Sequence, residues 1–195
     1  MTEGIGRALL HHGVATIAID LPLHGAREGN FEQLSLRNPL QLVSLWRLAL
    51  SEIRYALDYL EGLVAVDPER LGIVGYSLGS FLAAVAAAND QRVRALVLAS
   101  GGDLPEETPF APIVRAAADP LRAIRKFAGR PLLMVNGRYD RTIEPAQAER
   151  LYEAARDPKQ IHWYEGGHWP PQAAIDFAAN WLTSRLQPRN AERQA

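Results

Sequence analysis

The 195-residue chain contains no cysteine. That excludes a disulfide framework, a thiolate metal cluster and a cysteine nucleophile, and leaves covalent chemistry to Ser, Thr, Asp, Glu, His, Lys or Tyr. An excess of charge of one sign is also missing: 21 Lys plus Arg stand against 22 Asp plus Glu, for a formal net charge of -1. Without a charged run the chain has no electrostatic footprint for gripping nucleic acid or an anionic membrane, so a small or neutral partner is expected. The opening residues Met1 to Arg7 carry Glu3 and lack the apolar core and cleavage site of a signal peptide. Secretion is not indicated, and the absence of cysteine suits a reducing cytoplasm. Long hydrophobic runs are scarce. The uncharged stretch Leu71 to Asn89 is broken by Gly72, Gly75, Ser77, Gly79 and Ser80, which favours a buried strand, a turn and a buried helix over a membrane span. Internal repeats and low-complexity tracts are absent.

What remains, 48% hydrophobic and 22% charged residues, is the profile of one soluble globular domain, expected over 1–186, with a polar tail at 187–195. Short β-branched runs alternate with helical patterns. Val14 to Ile19, Leu71 to Val74, Val93 to Ala99, Leu132 to Val135 and Gln160 to Tyr164 read as buried strands bounded by turn residues. Asn38-Pro39 reads as a cap and first turn, after which Leu42, Leu45, Trp46, Ala49, Ile53, Leu57 and Leu60 recur at helical steps on one face. Further helices are expected at Leu78 to Ala88, at Pro120 to Ala128 behind an Asp119 cap, at Pro145 to Ala155 and at Gln172 to Leu186, and a surface helix ends at His11 and His12. This alternation predicts an α/β fold: a mainly parallel sheet of about five strands with helices on both faces. The Pro-rich segment Gly101 to Ala118 reads as an irregular insertion, a candidate lid or pocket wall.

The chemistry concentrates at strand ends. Gly75-Tyr76-Ser77-Leu78-Gly79 follows one strand and precedes an Ala-rich helix, the context in which a sharp turn lifts a serine oxygen off the sheet. Glycines on either side would remove β-carbons that collide there, and the helix N-terminus would supply partial positive charge. The alternative is a glycine-rich packing turn with an incidental serine. A serine hydroxyl needs a base, and the base needs a partner to hold its tautomer. Asp140 lies on a loop after the Leu132 strand and His168 on a loop after the Gln160 strand, and ligands of open α/β sheets sit at such carboxyl ends. Taken singly, Asp140 also reads as a turn-capping aspartate and His168 as an ordinary loop histidine. His24, in the Asp20 to Gly25 turn, reads as structural. No carboxylate at metal-ligand spacing accompanies His11 and His12.

These residues resemble the α/β-hydrolase superfamily: the Asp20 to Gly25 turn, the Gly75 to Gly79 elbow and the loops at Gly137 to Asp140 and Gly166 to His168. The likeness runs from about Gly4 to Leu186, and the phrasing from Pro131 to His168 is most similar to its esterase, dienelactone-hydrolase and prolyl-oligopeptidase-like branches. Serine at position 77, where dehalogenases carry aspartate and dienelactone hydrolases usually carry cysteine, argues against those two chemistries. The resemblance also exposes a gap. In the superfamily a central strand lies between those corresponding to Val14–Ile19 and Leu71–Val74, and a loop after it donates one oxyanion N–H; neither has a counterpart here. An incomplete N-terminus, direct pairing of the Val14 and Leu71 strands, or completion by another chain would each account for it. In the second case the Leu21 to Gly25 turn would offer a substitute donor.

The resemblance implies a serine hydrolase of esters or amides working through an acyl-serine intermediate, and the short lid segment favours small carboxylic esters. Ser77 would be the nucleophile, His168 the general acid and base, Asp140 the orienting carboxylate and the Leu78 N–H an oxyanion donor. Leu104, Phe110 and Trp169 are candidates for an apolar pocket wall. No cofactor or metal is required, and a homo-oligomer is compatible with the sequence. The alternatives are a peptidase of the prolyl-oligopeptidase-like type and a catalytically weak, hydrolase-like binding domain.

Overall fold

A computed structural model describes residues 1–29, 39–104 and 111–187. Its element order is α1 (Thr2–His11), α2 (Pro39–Glu61), a 3-10 turn (Pro68–Arg70), β1 (Leu71–Tyr76), α3 (Leu78–Asn89), β2 (Val93–Ala99), α4 (Ala111–Ala117), α5 (Pro120–Lys126), β3 (Leu132–Gly137), α6 (Pro145–Ala154), β4 (Lys159–Tyr164) and α7 (Gln172–Leu186). Among the described residues the strands form one parallel sheet in the order β1-β2-β3-β4.

That order dictates the layers. Right-handed crossovers repeated in one direction across a sheet put every connecting helix on the same face. Accordingly α3, α5 and α6 pack on one side with α2, around Leu96, Leu98, Leu132 and Met134. The alternate residues of the same strands, Ala95, Val97, Leu133 and Val135, face α1 and α7. Both faces of β2 and β3 are therefore dry, which is why these strands read as continuous apolar runs rather than alternating ones. Helix α3 is Ala-rich because its buried side, including Ala83, Ala84, Ala87 and Ala88, lies directly on the sheet. Asp119 caps α5 as expected, its carboxylate accepting from the Leu121 and Arg122 N–H groups.

Two expectations are corrected. The sheet has four strands rather than about five, because Val14 to Ile19 forms no strand. A strand needs a neighbour to bond with, and a cleft of about 680 Å³ lies between this run and β1. Ile17 is left 43% exposed as a result. The same cleft rules out direct pairing of the Val14 run with β1, while Leu21 and Pro22 of the turn that follows still lie beside Leu78. Second, the Gly101 to Ala118 segment is not irregular throughout, since it contains α4. Its start is anchored: the buried Asp103 takes a two-pronged ion pair from Arg115 of α4, at 3.0 and 3.1 Å. Residues 105–110, and with them Phe110, lie outside the described residues, as do Asn38 and most of the polar tail. Among the described residues no helix is long and apolar enough to cross a membrane.

Candidate active site

Ser77 follows the last residue of β1 and caps α3, at φ 52 and ψ -118. A non-glycine residue in so sparsely populated a backbone region costs on the order of 1–3 kcal/mol, so the turn is held by its surroundings. The Ser77 N–H donates to the Ala99 carbonyl at 3.0 Å, and the Ser77 carbonyl accepts from the Ser80 N–H at 2.8 Å and the Ser80 hydroxyl at 2.7 Å. A serine at a helix N-cap usually turns its oxygen onto the first helical N–H groups. Ser77 does not; its oxygen lies 2.8 Å from His168 Nε2 instead. A β-carbon on Gly75 would lie 2.3 Å from the Gly79 carbonyl oxygen, which explains that glycine. Gly79 differs from expectation: a β-carbon there meets nothing within 4 Å, because the position opens onto the cleft rather than onto a neighbouring backbone.

His168 Nδ1 lies 2.8 Å from Asp140 Oδ2, so hydroxyl, imidazole and carboxylate form one unbroken hydrogen-bonded chain. The Asp140 side chain is fully buried and that of His168 nearly so. The carboxylate divides its two oxygens between the two roles the sequence left open. Oδ1 accepts from the Thr142 and Ile143 N–H groups at 2.8 and 3.0 Å, which is the turn cap, while Oδ2 faces the imidazole. The cap thus orients the second oxygen. An ionised carboxylate only accepts, so the bond to Asp140 calls for the proton on Nδ1, and the neutral tautomer that carries it there leaves Nε2 to accept from the serine.

Three hydroxyl groups not singled out from the sequence surround this chain. Ser100, just past β2 and fully buried, donates to the His168 carbonyl at 2.6 Å. Tyr164, ending β4, donates to the Gly167 carbonyl at 2.8 Å. Tyr76, beside Ser77, donates to the His168 carbonyl at 3.3 Å and packs its ring 5.3 Å from the imidazole. Burial, then the neighbouring Tyr164 phenol and the Asp140 carboxylate, push the Tyr76 hydroxyl up to about 12. Burial raises Tyr164 as well, with Asp140 adding to the effect. Both phenols stay neutral donors. The signal available in the sequence was position alone: each residue ends or immediately follows a parallel strand.

Leu78 is the first residue of α3, where a backbone N–H has no intrahelical acceptor. Beside it a small recess of about 30 Å³ is lined by Leu21, Pro22, Leu42, Leu45, Trp46 and other apolar side chains. Of the candidate wall residues, Leu104 is buried in the core, and Trp169 is 71% exposed beside the site, its ring 5.3 Å from that of Tyr76 and 6.3 Å from that of His168. His24 Nδ1 lies 2.9 Å from the Pro22 carbonyl, and the residue lines the larger cleft. The larger cleft along β1 reaches Ser77, Leu78 and Gly79.

The chain is 32% identical over 130 residues to the uncharacterized protein Rv2307c of Mycobacterium tuberculosis, a match covering 63% of this chain and 46% of that protein. It is 32% identical over 139 residues to the uncharacterized protein YfhR of Salmonella typhi, covering 61% and 47%. The chain thus spans about half the length of the curated relatives it matches. Among solved structures it superposes on TT1662 of Thermus thermophilus with a TM-score of 0.73 and 25% identity, over 88% of this chain and 77% of the other. The α/β-hydrolase architecture is shared. The profile of the serine hydrolase (FSH1) family matches residues 44–177, a segment holding Ser77, Asp140 and His168, and the chain belongs to that family.

Proposed function

We propose that the protein hydrolyses small carboxylic esters through an acyl-serine intermediate. The single observation that carries this reading is the continuous chain from Ser77 Oγ to His168 to Asp140, with both links at 2.8 Å. In the first half-reaction Ser77 Oγ attacks the ester carbonyl carbon while its proton passes to His168 Nε2, and the oxygen that gains negative charge is met by the Leu78 N–H. Asp140 stabilises the resulting imidazolium. The imidazolium then gives its proton to the departing alkoxide, releasing an alcohol and leaving the acyl group on Ser77. Water repeats the sequence, its proton going to Nε2, and the carboxylic acid leaves as Ser77 regains its hydrogen.

The cleft along β1 reaches Ser77, Leu78 and Gly79 and gives a substrate access to the hydroxyl. The names of two structural neighbours fit an ester substrate: a cold-adapted esterase from an Arctic intertidal metagenomic library and Est1E of Butyrivibrio proteoclasticus, bound to ferulic acid. Loss of a second oxyanion donor would cost about 2.7–4 kcal/mol of barrier. Amides, with poorer leaving groups, would suffer more from that loss, which ranks a peptidase lower. A small soluble substrate and a cysteine-free chain are in keeping with work in the cytoplasm.

A second reading, a hydrolase-like domain that binds through the same region without turnover, draws on the open cleft along β1. Turnover of p-nitrophenyl acetate by the wild type and by Ser77→Ala separates the two. Loss of activity in the variant, with covalent fluorophosphonate labelling of Ser77 in the wild type, is the outcome expected of an esterase. Equal rates in the two proteins would leave only the binding reading.

A further inference from the structure

The loop bearing the imidazole, Gly166 to His168, has three consecutive carbonyls, and each is held by a donor: two come from beyond β3 and β2 and one from Tyr164 at the end of β4 itself. The Tyr139 N–H holds Gly166 at 2.9 Å, the Tyr164 hydroxyl holds Gly167 at 2.8 Å, and the Ser100 hydroxyl holds His168 at 2.6 Å. Tyr76 adds a longer bond to the same His168 carbonyl at 3.3 Å. Ser100 is the tightest of these and the most costly to keep. It is fully buried, and its backbone stands at φ 47, where glycine would be relaxed and serine is strained. No described hydrogen bond of its side chain serves its own loop. Its hydroxyl reaches 68 residues along the chain to the catalytic histidine's own carbonyl, and stands 3.3 Å from the Tyr164 hydroxyl. A side chain kept at a strained position for contacts across the sheet points to a demand made by those contacts.

We infer that Ser100 is a positioning residue for the proposed hydrolysis: its hydroxyl, backed by Tyr164, anchors the His168 backbone so that the imidazole spans Ser77 and Asp140. The inference rests on the hydrolase reading for its effect on rate, and on geometry alone for its effect on the imidazole. The belt joins the carboxyl ends of β2 and β4, while Tyr76 ties in β1 beside the serine. A shift of the His168 backbone by about 1 Å would misalign both 2.8 Å links at once, and such misplacement costs on the order of 10²-fold in rate.

Ser100→Gly is the discriminating variant because it removes the hydroxyl while relaxing the backbone. A residue that serves only the local turn would be improved by it. Positioning instead requires an unchanged melting temperature, kcat lower by about 10²-fold and KM within about threefold of the wild type. Tyr164→Phe would show a smaller fall in kcat of the same kind. Proton NMR gives a reading that needs no turnover. The hydrogen-bonded Nδ1 proton of His168, identified by its loss in His168→Gln, should be sharp in the wild type and lost or broadened in Ser100→Gly. Wild-type kcat together with an intact Nδ1 signal in Ser100→Gly overturns the inference, and so does a rate loss matched by a fall in melting temperature. If the wild type and Ser77→Ala turn over substrate equally, the proposed function fails while the Nδ1 signal still decides the positioning of the imidazole.

Discussion

A β-carbon on Gly137 would stand 2.2 Å from the Gly167 carbonyl oxygen and 2.5 Å from that of Gly166. The loop that carries Asp140 and the loop that carries His168 are therefore in backbone contact, with no side chain between them. Further bonds bind the two: the Arg138 N–H donates to the Tyr164 carbonyl at 3.0 Å, and the Tyr139 N–H to that of Gly166 at 2.9 Å. The 2.8 Å bond between the acid and the imidazole depends on this close approach.

Gly137→Ala should consequently act on the site more than on the fold. The methyl group cannot be absorbed by a flexible side chain, since the atoms it meets are backbone. Overpacking of this kind costs about 1–3 kcal/mol, and its relief is to push the His168 loop away from β3. Urea denaturation should show a loss in that range while ester turnover falls by on the order of 10²-fold. Undiminished turnover in a stably folded variant would mean the loops have another way to keep their register.

Asp140→Asn separates the two oxygens of one side chain. The amide oxygen can still accept from Thr142 and Ile143, so the turn survives. The remaining position is then an NH2 group, a donor, which neither fixes the Nδ1–H tautomer nor stabilises an imidazolium. Turnover should fall on the order of 10⁴-fold with KM and melting temperature little changed. Steady-state kinetics showing less than a tenfold loss would place the orienting function outside Asp140.

Alkaline pH should weaken the protein through its tyrosines. Tyr76 holds its proton up to about 12 in the folded state, above the ordinary value near 10 of an exposed phenol. Between these values the folded state binds more protons than the unfolded one, so unfolding free energy falls as pH rises. The stabilisation is complete below about pH 10 and lost by about pH 12. Denaturant melts across this window should slope downward in the wild type and less steeply in Tyr76→Phe. Identical slopes would show that the phenol is ordinary in its environment.

The strands of the sheet and the helices between them were legible because their burial is written in composition. β2 and β3 are covered on both faces and read as unbroken apolar runs, and α2 shows one apolar stripe from Leu42 to Leu60. Val14 to Ile19 has the same composition, yet forms no strand, because pairing is a property of two segments and a sequence reports only one. Helix α4 was hidden for a related reason: the prolines of its segment, Pro112 among them, read as breakers, while a tertiary ion pair from Arg115 to Asp103 holds it in place.

Residue identity by itself determined which groups could do chemistry: with cysteine absent, an elbow serine, a later aspartate and a last histidine were each placed after a strand. Only the tertiary structure decided that a single carboxylate both caps its turn and faces the imidazole, and that hydroxyls on Tyr76, Ser100 and Tyr164 converge on the histidine loop. The physical reason is distance along the chain. Local motifs are set by neighbours a few residues apart, whereas the bonds holding this site join β1, β2, β3 and β4, and their partners become known only when parallel strands are laid side by side.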